Sequence, residues 1–280
     1  MSRSSHHTPS HFPRIPEEVA LFVAHLGQQG LAISTIEVYL AGLRYFNLLA
    51  NPSEASPSLH TPFLKLLLRG IQRANVVKKP ALVRLPITRG ILAKIRTALA
   101  VNPLEYDSVL TWAAACTGFF GFLRTGEFLT PDSGPWDPQV HLALADIALT
   151  SIQSQRAIIL RIKASKTDQL RVGTTIVLGA TKAEICPVAA LLDYLNRRGG
   201  SPGPLYITEG GTPLRQQAFV DNIQQALAAA GLKGSKFNGH SFRIGAATTA
   251  SEVGVPETTI KILGRWRSIY GLPTLHQTPT

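Results

Sequence analysis

Four short segments of this sequence carry side chains suited to holding a phosphate: Phe122-Leu123-Arg124-Thr125-Gly126-Glu127, Ser165-Lys166-Thr167-Asp168, His240-Ser241-Phe242-Arg243 and Leu263-Gly264-Arg265-Trp266. Arg124 follows a strongly apolar run, so its guanidinium sits at the edge of a core, where an unpaired charge is costly. Glu127, three residues on, is the natural partner and would orient the planar fork. Taken alone, that pair either only fixes a helix end or orients the arginine for an anion. His240 and Arg243 are three apart at the start of a predicted helix and project from one side. The helix N-terminus adds a field that favours an anion, and Asn238-Gly239 supplies the turn before it. Two arginines and a histidine drawn from separate segments can cradle one phosphate through bidentate and charge-assisted hydrogen bonds. Lys166 falls in a predicted hairpin loop, where a lysine is either solvated or carried as a proton donor into a groove of DNA. Trp266 offers an indole N–H on an apolar body, or packs against Ile262 or Leu263.

The elements that must position these groups divide in two. A length of 280 residues makes two domains the prior, at roughly 100–200 residues each. Residues 1–15 are rich in Ser, His and Pro and read as disordered. A helix starts at Glu17 and ends near Gly27 and Gly30. Ser34 or Thr35 can cap a second helix, whose Ile36, Tyr39, Leu40, Leu43 and Phe46 form one stripe expected to be buried. Asn51–Thr61 is a Pro/Ser-rich loop, and Pro62 opens a third helix from Phe63 to Ala74. From Pro86 the pattern resets. Thr88 caps a helix to Ala100, and Ser108–Phe122 reads as a fully buried helix. Arg156–Ile162 and Thr174–Leu178 read as the strands of a β-hairpin. Helices follow over Pro187–Arg197, Arg215–Ala230, Ser241–Val253 and Pro256–Leu263. The fold class is mainly α with a small β-sheet.

Charge points to the partner. The chain has 28 Lys+Arg against 17 Asp+Glu, a net charge of +11, which is the footprint of polyanion binding. No acidic residue occurs between Ala55 and Leu104, a stretch that holds Lys65, Arg69, Arg73, Lys78, Lys79, Arg84, Arg89, Lys94 and Arg96. Lys65, Arg69 and Arg73 are four apart and share one helix face, with Phe63, Leu66, Leu67 and Ile71 expected on the other. Lys78-Lys79-Pro80 reads as an extended linker, since Pro80 pushes its neighbour out of the α region. Two cysteines, Cys116 and Cys186, offer neither a disulfide framework nor metal-ligand spacing and suit a reducing compartment. No apolar run reaches the roughly 20 residues a bilayer needs, and no secretory h-region is visible. The expectation is a soluble, basic intracellular protein.

The four segments, in this order, resemble the catalytic signatures of the tyrosine recombinase (phage integrase) family. HSFRIGAATTA followed by IKILGRW is similar to recombinases of eukaryotic mobile elements of the DIRS-like and Crypton-like kinds. The resemblance covers roughly residues 12–270. It implies a helical, SAM-like core-binding domain over 16–80, a basic linker over 81–87, an α+β catalytic domain over 88–270 and a divergent tail over 271–280. It implies duplex DNA as partner, no membrane, a nuclear location in a eukaryotic host, and neither metal nor nucleotide cofactor. Arg124 and Arg243 become the arginines that grip the scissile phosphate, with His240 between them. Glu127 supports the first arginine. Lys166 protonates the leaving 5′-oxygen, and Trp266 takes the position held by His or Trp. Lys65, Arg69, Arg73, Lys78, Lys79 and Arg84 hold the DNA backbone.

Family members cleave with a tyrosine to give a 3′-phosphotyrosine link. The expected position, about eight residues after Trp266, is Thr274 here, and the last tyrosine is Tyr270. Gly271 and Pro273 would break a helix there, so the helix that usually docks on a neighbouring protomer is not expected, although oligomerisation on DNA stays open. Two explanations stand. Either the tail has been replaced and the chain binds DNA without cutting it, or Tyr270 reaches the phosphate with altered geometry.

Overall fold

The computed structural model describes residues 16–50, 61–76, 84–102, 105–165, 168 and 170–266. They form two compact units, divided after residue 82.

The first unit contains helices α1 (Pro16–Gln28), α2 (Ile33–Ala50) and α3 (Pro62–Val76). Glu17 and Glu18 lie in the first turn of α1, where negative charge complements the helix dipole. Val19, Ala20, Val23, Ile36, Leu40, Leu43 and Leu64 form its core, with Leu67, Leu68 and Ile71 packed on the edge. Gly27 lets α1 approach α3, because a Cβ there would lie 2.7 Å from Ile71 Cδ1. Two expected faces are corrected. On α2, Tyr39 and Phe46 are half exposed, and the polar Asn47 is buried in line with Ile36, Leu40 and Leu43. On α3, Phe63 and Leu66 are largely exposed, and the buried stripe is Leu64, Leu67, Leu68 and Ile71. In both helices the stripe follows one 3.6-residue phase, and apolar residues adjoining that phase are left outside it. Lys65, Arg69 and Arg73 are exposed along one side of α3. Lys78 and Lys79 lie outside the described residues.

The second unit runs α4 (Arg89–Leu99), α5 (Tyr106–Phe120), α6 (Thr125–Phe128), β1 (Ile147–Ile152), β2 (Gln155–Ile162), β3 (Thr174–Gly179), α7 (Pro187–Arg198), α8 (Gln216–Ala229), α9 (Gly239–Glu252) and α10 (Glu257–Gly264). Thr88 occupies the N-cap position of α4. Helix α5 is apolar nearly all round, with Val109–Leu110 and Ala113–Phe119 buried, as a helix at the centre of a core must be. It packs on α7 and α9. Leu123, Leu160, Leu191, Phe219 and Phe242 bring the remaining elements into the same core.

The expected hairpin forms, with β2 antiparallel to β3 and Leu160 opposite Ile176. A third strand, β1, extends the sheet to the order β1-β2-β3, with Leu149 opposite Ile158. Its link to β2 is the two-residue turn Gln153-Ser154, both at positive φ (48° and 64°). Such turns are usually signalled by Asn-Gly or Asp-Gly, and neither is present. In the β2–β3 loop the Asp168 carboxylate accepts from Val172 N at 3.1 Å and Gly173 N at 2.7 Å. Lys166 lies outside the described residues.

The two cysteines differ chemically. Burial pushes the Cys116 thiol well up. Burial also raises Cys186, at the N-cap of α7, but the amides of Ala189 and Thr181 that donate to its Sγ outweigh this and bring its pKa below the ordinary thiol value. Cys186 lines a cavity of about 340 Å³ with Arg96, Leu99 and Trp112. A maleimide is therefore expected to modify Cys186 first, at least ~10-fold faster than Cys116, since the thiolate is the reactive form. Mass mapping of the labelled chain, with Cys186→Ser as control, checks this; equal labelling of both would contradict it.

Candidate functional site

The site begins where α5 stops. Gly121 caps the helix, Phe122 turns into the left-handed region at φ 50°, and the chain leaves the core at Arg124, the N-cap of α6. Glu127 closes this turn on itself. Its Oε2 accepts from Arg124 N at 2.9 Å, and its Oε1 accepts from Arg124 Nη1 at 3.0 Å. The Glu127 side chain is 2% exposed, against 22% for Arg124. Among the described residues, this is the one acceptor given to the Arg124 guanidinium.

Helix α9 brings the second arginine. Asn238 caps it, accepting from His240 N at 3.1 Å, while Asn238 N donates to Ser241 Oγ at 3.0 Å. Two glycines set its place. A Cβ at Gly239 would lie 2.5 Å from Thr125 Cγ2, and one at Gly245 would fall on the Ile87 backbone. Only backbone fits at either contact, so the first turn of α9 lies directly beside α6. Arg243, 4% exposed, donates from Nη1 to Phe122 O at 3.1 Å and from Nη2 to Gly264 O. Its Nη1 is 3.8 Å from Glu127 Oε2, and its Nε is buried without a hydrogen-bond partner among the described residues. The Trp266 ring stacks over the guanidinium at 4.7 Å, an attraction of the cation–π kind.

The end of α10 supplies a third arginine. Arg265 is the C-cap, left-handed at φ 55° and ψ 40°. Its Nη2 donates to Glu127 Oε2 at 2.8 Å and its Nη1 to Gly121 O at 3.3 Å. Gly264 keeps Trp266 in place, because a Cβ at 264 would fall on the indole. Gly264→Ala is thus expected to displace Trp266 from Arg243. A shift of tryptophan emission relative to a Trp266→Phe control measures this, and an unchanged spectrum would contradict it.

Three guanidinium groups therefore surround one buried carboxylate, and positive charge is in excess. Burial, then the charges of Arg124 and Arg265, pull the Arg243 pKa down to about 10 against the opposing pull of Glu127. It still carries its proton at neutral pH. A desolvated cluster with surplus positive charge gains most from an anion, and planar forks suit an oxyanion with several acceptors.

The structure brings Arg124, Glu127, Arg243 and Trp266 together. His240 is exposed on the first turn of α9, one turn from Arg243. Tyr270 and Lys166 lie outside the described residues. Arg84 is exposed at the start of the second unit. Arg265 joins the cluster unannounced by the sequence. Its segment stands out for Trp266, but nothing in the spacing shows that a helix ending in a left-handed residue turns this side chain onto Glu127.

No family model matches the chain. An integrase/recombinase xerD homolog from Selenomonas ruminantium is 30% identical over 158 residues, 54% of this chain and 42% of that protein. The match thus spans less than half of that relative's length. Among solved structures, XerH site-specific recombinase bound to its difH substrate superposes with a TM-score of 0.59 at 16% identity, covering 95% of this chain and 68% of that one. A lambda integrase fragment bound to a COC′ core site gives 0.55 at 16% identity, covering 91% and 76%. The Tn1549 transposon integrase in complex with transposon right end DNA gives 0.56 at 12% identity, covering 94% and 81%. At these identities the likeness establishes the fold. No helix among the described residues is long and apolar enough to cross a membrane.

Proposed function

We propose that this chain is a member of the tyrosine recombinase family, a reading supported by its likeness to the xerD homolog and by its fold, and that it grips duplex DNA and holds one phosphodiester at the Arg124–Glu127–Arg243–Arg265 cluster for site-specific recombination. The observation that carries this reading is the unspent donor capacity of Arg124. Its guanidinium gives one hydrogen bond, to Glu127. Its Nε and Nη2 are left for an acceptor outside the described residues, in a cluster with excess positive charge.

Attack on a phosphodiester builds negative charge on the nonbridging oxygens, and fixed guanidinium groups stabilise it without reorganising. In this reading a tyrosine hydroxyl loses its proton to solvent and its oxygen forms the bond to phosphorus, the bond to the 5′-oxygen breaks, and Lys166 gives that oxygen its proton. The 3′-phosphotyrosine keeps the phosphoester, so the reverse step joins a new strand. His240 donates to the same phosphate from the first turn of α9. Lys65, Arg69 and Arg73, with Lys78, Lys79 and Arg84, supply a grip on the backbone that carries no sequence information. The compartment is the one that holds the DNA, a nucleus in a eukaryotic host.

A second reading rests on the tyrosine. Thr274 stands where the family nucleophile is expected, and Gly271 and Pro273 precede it in the sequence. On that reading the same scaffold binds DNA without cutting it. Nicked duplexes with a randomised core separate the two. A covalent adduct on a denaturing gel that disappears with Tyr270→Phe supports the recombinase. Retarded mobility with no adduct supports the binder. No retardation at low salt overturns both.

A further inference from the structure

Oε2 of Glu127 is shared between two donors, Arg124 N at 2.9 Å and Arg265 Nη2 at 2.8 Å, while Oε1 takes Arg124 Nη1 at 3.0 Å. Arg124 is therefore held by a single guanidinium bond, although its planar fork would pair with both oxygens of a free carboxylate. Oε2 instead takes Arg124 N and Arg265 Nη2. Arg265 is tied to the protein on its other side as well, through Gly121 O at 3.3 Å and Phe122 O at 3.3 Å, so it comes to Glu127 already anchored. The left-handed backbone at φ 55°, which a non-glycine residue adopts only at a cost, aims this side chain inward.

We infer that Arg265 is a positioning residue which holds Glu127 Oε2 and so keeps the Arg124 fork open for the phosphate. This rests on the phosphate-pocket reading above. Without Arg265, the carboxylate turns both oxygens onto Arg124, or closes the 3.8 Å gap to Arg243, and competes with the phosphate for the same donors. Glu127 then becomes an internal inhibitor of the pocket it organises. Arg265 is distinct in role from Arg124 because both its Nη groups already donate to protein acceptors.

The test uses the full chain and inorganic phosphate at constant ionic strength. The guanidinium Nε–H signal of Arg124, assigned by its loss in Arg124→Lys, is followed by NMR. Wild type should shift saturably with phosphate. Arg265→Gln should weaken binding at least fivefold and should move the Arg124 signal even without phosphate. Arg265→Lys, which still reaches a carboxylate with one donor, should stay within threefold of wild type. Arg265→Gln combined with Glu127→Gln should return to within twofold, because the competing carboxylate is gone. A double variant that remains fivefold weak while giving a native circular dichroism spectrum overturns the inference, since a direct ligand or a purely structural Arg265 would behave that way. Unchanged binding in Arg265→Gln overturns it too. Absence of any phosphate-dependent shift in wild type overturns the pocket reading itself, and the inference with it.

Discussion

Glu127→Ala is expected to lower the melting temperature of the second unit by about 10 °C. The substitution leaves Arg124, Arg243 and Arg265 facing one another with no counter-charge, at a point where Arg243 and the lost side chain are almost fully buried. Breaking a buried ion pair on one side costs about 3–5 kcal/mol, and in a domain of this size each kcal/mol is worth roughly 2–4 °C. Glu127→Gln should lose less, because its carbonyl oxygen still accepts from one donor. The loss in Glu127→Ala should shrink when inorganic phosphate is added, since an anion replaces the missing charge and ligand binding to the native state is stabilising. Calorimetry with and without phosphate reads both effects. An unchanged melting temperature would mean that the three arginines do not depend on Glu127.

The second large effect belongs to the first unit. Replacing Lys65, Arg69 and Arg73 together by Ala should leave that unit folded, because all three are exposed and its core is formed by other side chains. If each contacts one DNA phosphate, the plot of log affinity against log salt loses about 0.9 per contact. The triple variant should therefore show a slope shallower by about 2.7, and at 0.1 M salt its affinity should fall on the order of 10²–10³-fold. Titration of duplex DNA at several salt concentrations measures the slope directly. A parallel line, displaced or not, would place the DNA elsewhere.

Much of this site can be read from the amino-acid order because its chemistry is local. Arg124 and Glu127 are three apart and meet within one turn, and the Asn238-Gly239 cap follows from side chains that compete for helix ends. The basic side of α3 is equally plain, since charge stays in water wherever the helix packs. The parts that escape depend on packing or on backbone conformations that ordinary residues adopt only in context. Tyr39 and Phe46 read as core because they are apolar and nearly in phase, yet Asn47 takes the buried place. Strand β1 is hidden by the turn Gln153-Ser154, whose positive φ values neither residue type advertises. Arg265 is hidden for the same reason, because a left-handed helix end turns it onto a carboxylate 138 positions away.

A structure of the full chain on a nicked duplex tests most directly whether the Arg124 fork holds a DNA phosphate. The expected result is a phosphodiester oxygen within hydrogen-bond distance of Arg124 Nε or Nη2, with Glu127 still paired to Arg265. DNA phosphates that engage only other faces of the second unit, leaving the Arg124 fork empty, would contradict it.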